Sequence, residues 1–504
     1  MSDSINERPT FPVYLQGHTL KYEIECVLKL FLPMTKFTFF YDKNDMPSDE
    51  DGASLSLVTQ DGQSHFEVCL RLDGETTEAE TYTSPLDPVR QKAACEYTFC
   101  DLLFGLLEKH TGLHPAWGIL TGIRPVKNVQ RQMRQGRTHT EILQDMETRL
   151  HVRSDKAQLA YAIAAHQEPI LAQTPPCSVS LYISIPFCPT RCNYCSFVSQ
   201  SVEQAGYLMP AYVDCLCREL ALWGEIVRAQ NLTLDTIYLG GGTPTTLSAT
   251  QLAQLFSVVQ DNFDLSHIRE YCVEAGRPDT ITTEKLDVCR AYGITRLSVN
   301  PQTMEDDVLQ TIGRRHTAAQ TRQAYTLARQ VGFQNINMDL IAGLPGDTVS
   351  GFRETLSQII EMAPDSITVH ALTLKRASNL YSVGETQVCN PVDAMVTESE
   401  TCLLKAGYFP YYLYRQKNTI DNLENVGYAL PGKDGLYNIL IMDESQMILG
   451  AGCGASTKLF EASGKITRIY NYKFPYEYVA QFDQLMQKKE QVRQILSEKQ
   501  EAEA

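Results

Sequence analysis

The 504-residue chain is short of basic residues: 44 Lys and Arg stand against 60 Asp and Glu, which gives a formal net charge of -16 at pH 7. A phosphate-rich partner is normally bound through an excess of Lys and Arg. The shortage therefore argues against general binding to nucleic acid or to an anionic membrane. It also implies that an anionic substrate would have to meet a locally basic pocket.

Long hydrophobic runs are missing as well. No stretch approaches the roughly 20 consecutive apolar residues that a membrane-spanning helix needs. The first residues, MSDSINERPTFPVYL, have neither the basic start nor the apolar core of a secretory signal. We therefore expect a cytoplasmic protein with no membrane span.

The 15 cysteines, found between Cys26 and Cys453, lack the paired spacings of a disulfide framework. Reduced thiols are expected, in agreement with a cytoplasmic location. With 43% hydrophobic and 21% charged residues, the chain can bury a large core, and its length predicts two or three domains.

Residues 1–175 are predicted to form an N-terminal α+β domain, whose role the sequence leaves open. Alternating polar and apolar residues in YLQGHTLKYEIECVL (14–28) and HFEVCLRLDG (65–74) predict strands. Three later stretches predict helices, at 86–109, 126–136 and 155–172. The segment TPPC that follows marks the predicted boundary, because proline ends helices.

Residues 176–375 alternate between apolar strand-like segments and amphipathic helical segments. The strand-like segments are SVSLYISI, TLDTIYLG, EYCVEA, ITRLSVN, NINMDLIA and DSITVHAL. Such successive strand–helix units predict a parallel sheet and favour a partial (β/α)6 barrel. Reactive groups are then expected on the loops that follow the carboxyl ends of the strands.

Residues 376–504 are predicted to form a C-terminal α+β region that covers the substrate. A helix is expected near 393–406, and a polar terminal helix is expected from about 475. Strands are expected at 408–415, 436–442 and 446–449. The predicted fold class is therefore α/β, with α+β regions on both sides of the partial barrel.

Three cysteines stand together where the first strand of the predicted barrel, LYISIPF, runs into CPTRCNYC. Cys188, Cys192 and Cys195 have the spacing C-x3-C-x2-C. Thiolates favour iron–sulfur clusters or zinc, and a structural zinc site normally has four protein ligands. Three thiolates around a four-iron cluster would leave one iron open to a small chelating molecule. The alternatives are a zinc site completed by a distant Cys or His, and three cysteines with no shared role.

Polar or glycine-rich positions follow the later strands of the predicted barrel. The segment GGGTPT at 240–245 follows the second strand, and its glycines allow backbone to approach a ligand closely. Glu274 ends the third strand in VEAGRPD, where a carboxylate could bind ribose hydroxyls or an ammonium group. Gln302 follows the fourth strand, Arg314 lies in IGRRHT and Asp339 ends the fifth strand in NMDLIAGLPG. Each alone could be an ordinary polar residue or turn, but together they follow one order.

The cysteine spacing, with an aromatic residue before the third cysteine and a position on the loop after the first barrel strand, resembles the radical S-adenosylmethionine (SAM) superfamily. This resemblance implies a [4Fe-4S] cluster on Cys188, Cys192 and Cys195. It also implies that SAM binds the open iron and that its reductive cleavage produces a 5′-deoxyadenosyl radical.

The segments YISIPFC, GGGTPT, VEAGRPD, NPQT, GRRHT and DLIAGLPG together resemble the oxygen-independent coproporphyrinogen III dehydrogenase family over about residues 178–480. The N-terminal extension, with WGILTGIRPVK at 117–127, is similar to the long branch of that family. The resemblance implies that the SAM nucleotide sites are lined by Tyr182, Gly241, Gly242, Thr243, Glu274, Gln302, Arg314, Asp339 and Ala371.

The family resemblance implies a reaction in haem biosynthesis. Hydrogen is removed from two propionates of coproporphyrinogen III, and decarboxylation to vinyl groups gives protoporphyrinogen IX. The implied partners are this anionic porphyrinogen and a reducing electron donor such as flavodoxin or ferredoxin.

Two departures from the family pattern keep alternatives open. Well-characterised dehydrogenases carry another cysteine two positions after the third, whereas here Cys195 is followed by Ser196 and Phe197, an ending also seen in the haem-chaperone branch. That branch carries H-N-L-x-Y-W, whereas this chain reads DNLEN from Asp421, without the histidine. A haem-binding chaperone, or a radical SAM enzyme with another anionic substrate, are the alternatives.

The four propionates of coproporphyrinogen would need cations, and Arg binds carboxylates in a bidentate fashion. Ordinary solvated charges are the competing explanation for every such residue. The candidates are Arg124, Lys375, Arg376, Arg415 and Lys417. Two other residues could lie near the pocket, namely His370 and Cys453.

Overall fold

The computed structural model describes residues 10–33, 35–45, 47, 50–60, 63–83, 88–175, 177–195, 199–373, 391–416, 419–460 and 465–503. The chain divides into two compact units. One is Met1–Tyr161 with Asp421–Leu423, and the other is Ala162–Ile420 with Glu424–Ala504. The boundary after Tyr161 lies inside the helix Ser154–Ala172, whereas the sequence predicts a boundary near residue 175. Among the described residues, no helix is long and apolar enough to cross a membrane.

The N-terminal unit is built on a five-stranded sheet of order β2-β1-β3-β4-β5. Strands β1, β2 and β3 run parallel, and β3, β4 and β5 form antiparallel pairs. One face of β4 is buried at every second residue, as the alternating sequence predicts. The strands are β1 (Thr10–Gln16), β2 (Lys36–Phe40), β3 (Gly52–Gln60), β4 (Gln63–Leu72) and β5 (Glu75–Thr83).

Two helices of this unit share a core with its sheet. The strand predicted over 14–28 is wrong in its second half, because Lys21–Phe31 is helical. Ile24, Val27, Leu28 and Phe31 are buried at helical spacing, so one apolar stripe faces the core. The helices are α1 (Lys21–Phe31), α2 (Pro88–Thr111), α3 (Val126–Arg134), α4 (His139–Gln144) and, crossing the division between the units, α5 (Ser154–Ala172).

The second unit contains an open sheet of eleven strands. Six of them are the predicted barrel strands, which lie parallel to one another in chain order. These strands are buried almost throughout, which explains their nearly continuous apolar sequences. They are β6 (Ser178–Ile185), β9 (Thr233–Gly241), β10 (Glu270–Glu274), β11 (Arg296–Ser298), β12 (Ile336–Ala342) and β13 (Ser366–Ala371). The loop that carries Cys188, Cys192 and Cys195, called the cysteine loop below, adds the short parallel pair β7 (Phe187–Cys188) and β8 (Gln200–Ser201).

Helices connect the parallel strands, as the predicted strand–helix alternation requires. Their N-termini carry side-chain caps at several positions, for example the reciprocal cap of Ser248 with Gln251. They are α6 (Val202–Ala205), α7 (Met209–Ala229), α8 (Ala249–Asn262), α9 (Thr283–Ala291), α10 (Asp306–Thr311), α11 (Ala318–Val331) and α12 (Val349–Met362).

The described part of 376–504 does not form a unit of its own, because its strands extend the same sheet. Strands β14 and β15 lie beside β13, whereas β16 pairs parallel with β6 and leads to β17 and β18 at the other edge. The strands are β14 (Phe409–Arg415), β15 (Glu424–Ala429), β16 (Met447–Ala451), β17 (Ser456–Phe460) and β18 (Ile466–Tyr470).

The strand predicted at 436–442 is wrong, because Leu436–Asp443 forms a helix. Its short apolar run has no periodicity that separates a strand from a buried helix. The chain must cross here from β15 at one side of the sheet to β16 at the other, which a helix can accomplish. The helices of this region are α13 (Val392–Lys405), α14 (Leu436–Asp443), α15 (Pro475–Ala480) and α16 (Phe482–Glu503).

A buried ion pair joins the terminal helix α16 to α7. Lys489 Nζ lies 3.1 Å from Glu219 Oε1, and both side chains are 0% exposed. The ammonium also donates to Gly450 O at 2.8 Å and lies 4.6 Å from the centre of the Trp223 ring. Glu219 accepts further hydrogen bonds, including one from Tyr478 at 2.6 Å. The pair therefore ties the helix to strand β16.

We predict that Lys489→Met destabilises the second unit by about 3–5 kcal/mol, because the Glu219 carboxylate stays buried without its counter-charge. The measurement is urea unfolding followed by Trp223 fluorescence in a Trp117→Phe background, since the chain has two tryptophans. The control is Lys488→Met, which removes the neighbouring ammonium over Tyr472. Equal unfolding free energies for the two variants would contradict the prediction.

Candidate functional site

The parallel pairing of β6 with β9 places two predicted loops side by side. Ser184 pairs with Gly240 and Ile185 with Gly241. The cysteine loop and the segment GGGTPT at 240–245, called the glycine loop below, therefore leave the sheet side by side. Beyond the strands, the amide of Gly242 donates to the Ile185 carbonyl at 2.7 Å. The two loops are therefore joined by backbone hydrogen bonds as well as by strand pairing.

Glycine is required here because the loops approach so closely. Gly241 has a φ of 108°, and a Cβ at this position would lie 2.8 Å from Ser184 Oγ. A Cβ on Gly242 would lie 3.0 Å from Cys188 Sγ and 2.7 Å from the Phe187 carbonyl oxygen. Thr243 completes the contact, since its hydroxyl donates to Cys188 Sγ at 3.5 Å. The structure thus brings the first predicted cysteine together with the glycine loop.

The middle of the cysteine loop is fastened to the turn after α10. The amide of Asn193 donates to the Ile312 carbonyl at 2.9 Å, and its side-chain amide donates to the Thr311 carbonyl at 3.0 Å. Thr190 Oγ1 donates to the Gly313 carbonyl at 3.2 Å. The turn that precedes Arg314 therefore supports the loop that carries the cysteines.

The three thiols lie in a largely buried setting. Cys192 is buried, and Cys188 and Cys195 are half-buried. Burial raises the pKa of the Cys188 thiol, while hydrogen bonds from Thr243 and Ser199 act in the opposite direction. Iron binds the thiolate, and metal binding releases the thiol protons. The Thr243 hydroxyl directed at Cys188 Sγ and the Arg277 guanidinium directed at Cys192 Sγ suit such a thiolate set.

In the described residues, no three His, Cys, Asp or Glu side chains converge on a point where one metal ion could bind. In a four-iron cluster, each thiolate binds a different iron, so its cysteines do not converge in this way. The donor set, three sulfurs on one loop beside hydrogen-bond donors, fits such a cluster.

Glu274 ends β10 beneath the glycine loop, where a Cβ on Gly240 would lie 2.9 Å from its Oε2. Its carboxylate accepts a hydrogen bond from the Tyr238 hydroxyl. Burial raises the pKa of Glu274 to about 7, an effect that the nearby Asp339 increases. The ring of Tyr182 stacks on that of Tyr238 with a centroid distance of 6.2 Å. Two predicted residues, Tyr182 and Glu274, are therefore linked through Tyr238.

Asp339 behaves in the opposite way. Burial alone would raise its pKa, but His370 and the amide of Asn337 outweigh burial and lower it. Asn337 Nδ2 donates to Asp339 Oδ1 at 2.7 Å, and His370 Nε2 lies 3.8 Å from Asp339 Oδ2. On its other side, His370 Nδ1 lies 3.4 Å from the Tyr414 hydroxyl oxygen. Asp339 therefore lies in the middle of β12 rather than at its end, in a polar cluster with His370 near the carboxyl end of β13.

Gln302 and Arg314 flank the end of β11. Gln302 has a φ of 70°, which is uncommon for a residue other than glycine, and its backbone bonds to Asp339 and Ile341 hold this conformation. Arg314 Nη1 donates to the carbonyls of Asn300 at 2.7 Å and of Gly276 at 3.1 Å. These two predicted residues are thus packed into the same strand-end region.

Several buried polar atoms in this region have no hydrogen-bond partner within the described residues. They are Asn300 Oδ1, Gln302 Oε1 and Arg314 Nε. Buried polar groups normally find partners, so such atoms indicate that a polar ligand completes the site. Their chemistry suits an adenosine or amino-acid moiety, which carries both donors and acceptors.

The remaining predicted residues take varied positions. Ala371 is buried at the end of β13, opposite Ala342. Arg415 is also buried and lies opposite Glu424 on β15, so it faces a carboxylate of the protein itself, and burial lowers its pKa to about 10. The Cys453 thiol donates to the Lys473 carbonyl at 3.0 Å.

The roles predicted for the other four cations in propionate binding stay predictions. Arg124 belongs to the N-terminal unit. Lys375, Arg376 and Lys417 lie outside the described residues, as do Ser196 and Phe197.

Sequence reasoning overlooked three residues of this region, namely Tyr238, Arg277 and Asn300. Arg277 lies in VEAGRPD, three residues after Glu274, and Asn300 lies in NPQT, two residues before Gln302. That proximity to a strand end was the available signal. Tyr238 had a comparable signal, because it lies two residues before the glycine triplet on a buried strand.

Comparison with known proteins agrees with this arrangement. Residues 182–359 match the radical SAM superfamily. Over 446 residues, 85% of this chain and 88% of the relative, the chain is 40% identical to the oxygen-independent coproporphyrinogen-III oxidase-like protein HemZ of Bacillus subtilis. The heme chaperone HemW of the same organism is 35% identical over 208 residues, 40% of this chain and 53% of that protein.

The solved structure of coproporphyrinogen III oxidase (HemN) from Escherichia coli, a radical SAM enzyme, superposes with a TM-score of 0.48 at 24% identity, over 64% of this chain and 72% of that one. The parallel sheet and the superfamily match define a radical SAM protein, a class that generally uses a [4Fe-4S] cluster and SAM. Within that class, the chain belongs to the family of oxygen-independent coproporphyrinogen-III oxidase-like proteins.

We predict a pH-dependent effect of Glu274→Gln on the stability of the SAM-free protein. The pKa of Glu274 is about 7 in the folded protein and 4.5 ordinarily, so folding favours its neutral form. The resulting stabilisation is fully present below about pH 4.5 and is lost as the pH rises through about 7. Glu274→Gln should therefore be more stable than the parent at pH 8, by about 2 kcal/mol, and close to it at pH 5.

The measurement is urea unfolding at both pH values, with exposed Glu284→Gln as the control. A difference between Glu274→Gln and the parent that does not change with pH would show that Glu274 titrates normally.

Proposed function

We propose that the protein catalyses the oxygen-independent oxidative decarboxylation of coproporphyrinogen III to protoporphyrinogen IX. The observation that carries the proposal is the close fit between the cysteine and glycine loops, where Cys188 Sγ, Gly242 and Thr243 meet. Similarity to the coproporphyrinogen-III oxidase-like relative over most of both chains supports the same reaction class.

In this proposal, Cys188, Cys192 and Cys195 hold a [4Fe-4S] cluster. When bound, the cluster and SAM supply a 5′-deoxyadenosyl radical for hydrogen abstraction. The role of the protein is to hold the thiolates, orient the ligand and exclude water from the site. Thr243 serves the first function directly, because its hydroxyl donates to Cys188 Sγ.

The residues proposed to hold SAM lie along the strand ends. The backbone of Gly241 and Gly242 is proposed to line this site, since the absence of side chains there lets the glycine loop lie directly against Cys188. Glu274 and Asp339 offer carboxylates for an ammonium group or for ribose hydroxyls. Gln302 Oε1 and Arg314 Nε, which have no hydrogen-bond partner within the described residues, offer polar contacts to the ligand. Tyr182 and Ala371 are proposed to line the rest of the site.

The two carboxylates differ in a useful way. Because the pKa of Asp339 is lowered and that of Glu274 is raised to about 7, the site holds one firm negative charge and one carboxyl that is partly protonated at neutral pH. A ligand that brings an ammonium and a sulfonium would favour ionisation of both. Ligand binding and proton release at Glu274 are therefore expected to be linked.

The proposed substrate and partners follow from the same reaction. Coproporphyrinogen III carries four propionates, so its pocket requires cations, and a low-potential donor such as flavodoxin or ferredoxin would supply the electron. The chain is acidic overall, so these cations must be local.

A haem-binding chaperone is a second candidate function. It is favoured by the similarity to heme chaperones from several bacteria, for example 30% identity over 308 residues to that of Haemophilus influenzae. The cysteine segment, which ends in Cys-x-Phe, agrees with it. The segment DNLEN from Asp421, which lacks a histidine, argues against it.

We predict that replacing any one of the three cysteines with Ala abolishes cluster binding. Each replacement leaves the four-iron cluster with two bonds to protein thiolates instead of three. Anaerobic reconstitution followed by iron and sulfide analysis measures the loss, and Cys402→Ala on α13 is the matched control. Retention of a full cluster and of SAM cleavage in any of the three variants would contradict the assignment.

We predict that the reconstituted protein, given SAM, a reductant and coproporphyrinogen III without oxygen, forms 5′-deoxyadenosine and protoporphyrinogen IX together. Mass spectrometry follows both products. The control is the Cys192→Ala variant, which should form neither. Formation of 5′-deoxyadenosine alone would indicate another substrate, whereas tight haem binding without turnover would favour the chaperone.

A further inference from the structure

One buried arginine near the cysteine loop has no part in the SAM site described above. Arg277 is 2% exposed and follows β10 by three residues. Its guanidinium donates to Asp279 through two nearly parallel hydrogen bonds, each of 3.1 Å. This paired geometry fixes the plane of the guanidinium. A side chain held in this way can position another group accurately.

The free edge of that guanidinium faces the cysteine loop. Nη1 of Arg277 donates to Thr190 Oγ1 at 3.1 Å and to the Thr190 carbonyl at 3.4 Å. The same nitrogen lies 3.8 Å from Cys192 Sγ, within the range of an N–H···S hydrogen bond. Arg277 therefore bonds both to a thiol and to the backbone between Cys188 and Cys192.

We propose that Arg277 is a positioning residue that holds the cysteine loop and, through its hydrogen bond to Cys192, sets the reduction potential of the cluster. This inference rests on the cluster assignment proposed above. Reduction adds negative charge to a cluster, and a donor directed at a ligating sulfur stabilises that charge. Arg277 thus makes the cluster easier to reduce than it would be without the donor.

Asp279 acts on the potential in the opposite direction. Its carboxylate orients Arg277, but its negative charge also partly offsets the guanidinium charge. Because the Asp279 side chain is 20% exposed and that of Arg277 only 3%, solvent screens the carboxylate more strongly. The net effect of the pair at Cys192 is therefore that of a donor with a partial positive charge.

The test is the midpoint potential of the SAM-free, reconstituted cluster, measured by a redox titration followed by electron paramagnetic resonance. Arg277→Gln should lower the potential by an amount equal to about a tenfold loss of reduced cluster at a fixed potential, about 59 mV for one electron. Asp279→Asn should raise it. Arg277→Lys, which keeps the charge but loses the fork, should fall between Arg277→Gln and the parent.

The matched control is Arg322→Gln on α11, an exposed arginine that bonds to Gln358, which should leave the potential unchanged. A purely structural role would not shift Arg277→Gln and Asp279→Asn in opposite directions. If Arg277→Gln cannot hold the cluster, Arg277→Lys and Asp279→Asn still give the two shifts.

Potentials equal to that of the parent, or shifts of the same sign in both charge variants, would overturn the inference. A parent protein that binds no [4Fe-4S] cluster would instead defeat the proposed function, so the two failures are distinguishable.

Discussion

The register between β6 and β9 is the constraint on which the site depends. Ser184 stands opposite Gly240, and Ile185 opposite Gly241, so the loops that follow emerge at one height. A slip of one residue would turn every side chain of a strand to the other face. It would also replace a glycine by Thr243 where there is space only for hydrogen against Cys188 Sγ. Strand pairing and glycine placement thus depend on each other.

Charge burial shapes the region around this register. Two buried charged side chains have partners within the protein: Arg277 is paired with Asp279, and Asp339 lies 3.8 Å from His370 Nε2. Glu274 forms no ion pair within the part of the chain that the structure describes, and burial raises its pKa. Asp339 is therefore a carboxylate stabilised by groups of the protein, whereas Glu274 is one that a cationic ligand would stabilise. This difference supports binding of a ligand with a positive charge.

The sequence predicted what is local and missed what depends on distant packing. The parallel strands were predictable because buried β-strands have apolar runs, and the cysteine and glycine loops because their residues are contiguous. The sequence could not assign a role to Arg277, because the role inferred for it depends on a contact with Cys192, which is 85 positions away in the chain. The helix at Leu436–Asp443 was mistaken for a strand because apolar runs of that length suit either structure.

Support for the cysteine loop extends well beyond the loop itself. Strand β6, which leads into it, is paired on one side with β9 and on the other with β16, where Ile183 stands opposite Ala451. Just beyond β16, the amide of Cys453 donates to the Tyr212 hydroxyl, which donates in turn to the Ser184 carbonyl, each at 2.8 Å.

Glu219 on α7 anchors the same end of β16, because it accepts from the Gly452 amide at 2.8 Å while paired with Lys489. A continuous set of contacts therefore runs from the terminal helix to Ser184, opposite the glycine loop. The C-terminal residues therefore stabilise the strand from which the cysteines emerge. We therefore expect a change at the buried ion pair to alter the position of the cysteine loop. The effect would pass through β16 and Tyr212 along hydrogen bonds rather than through long-range electrostatic interaction.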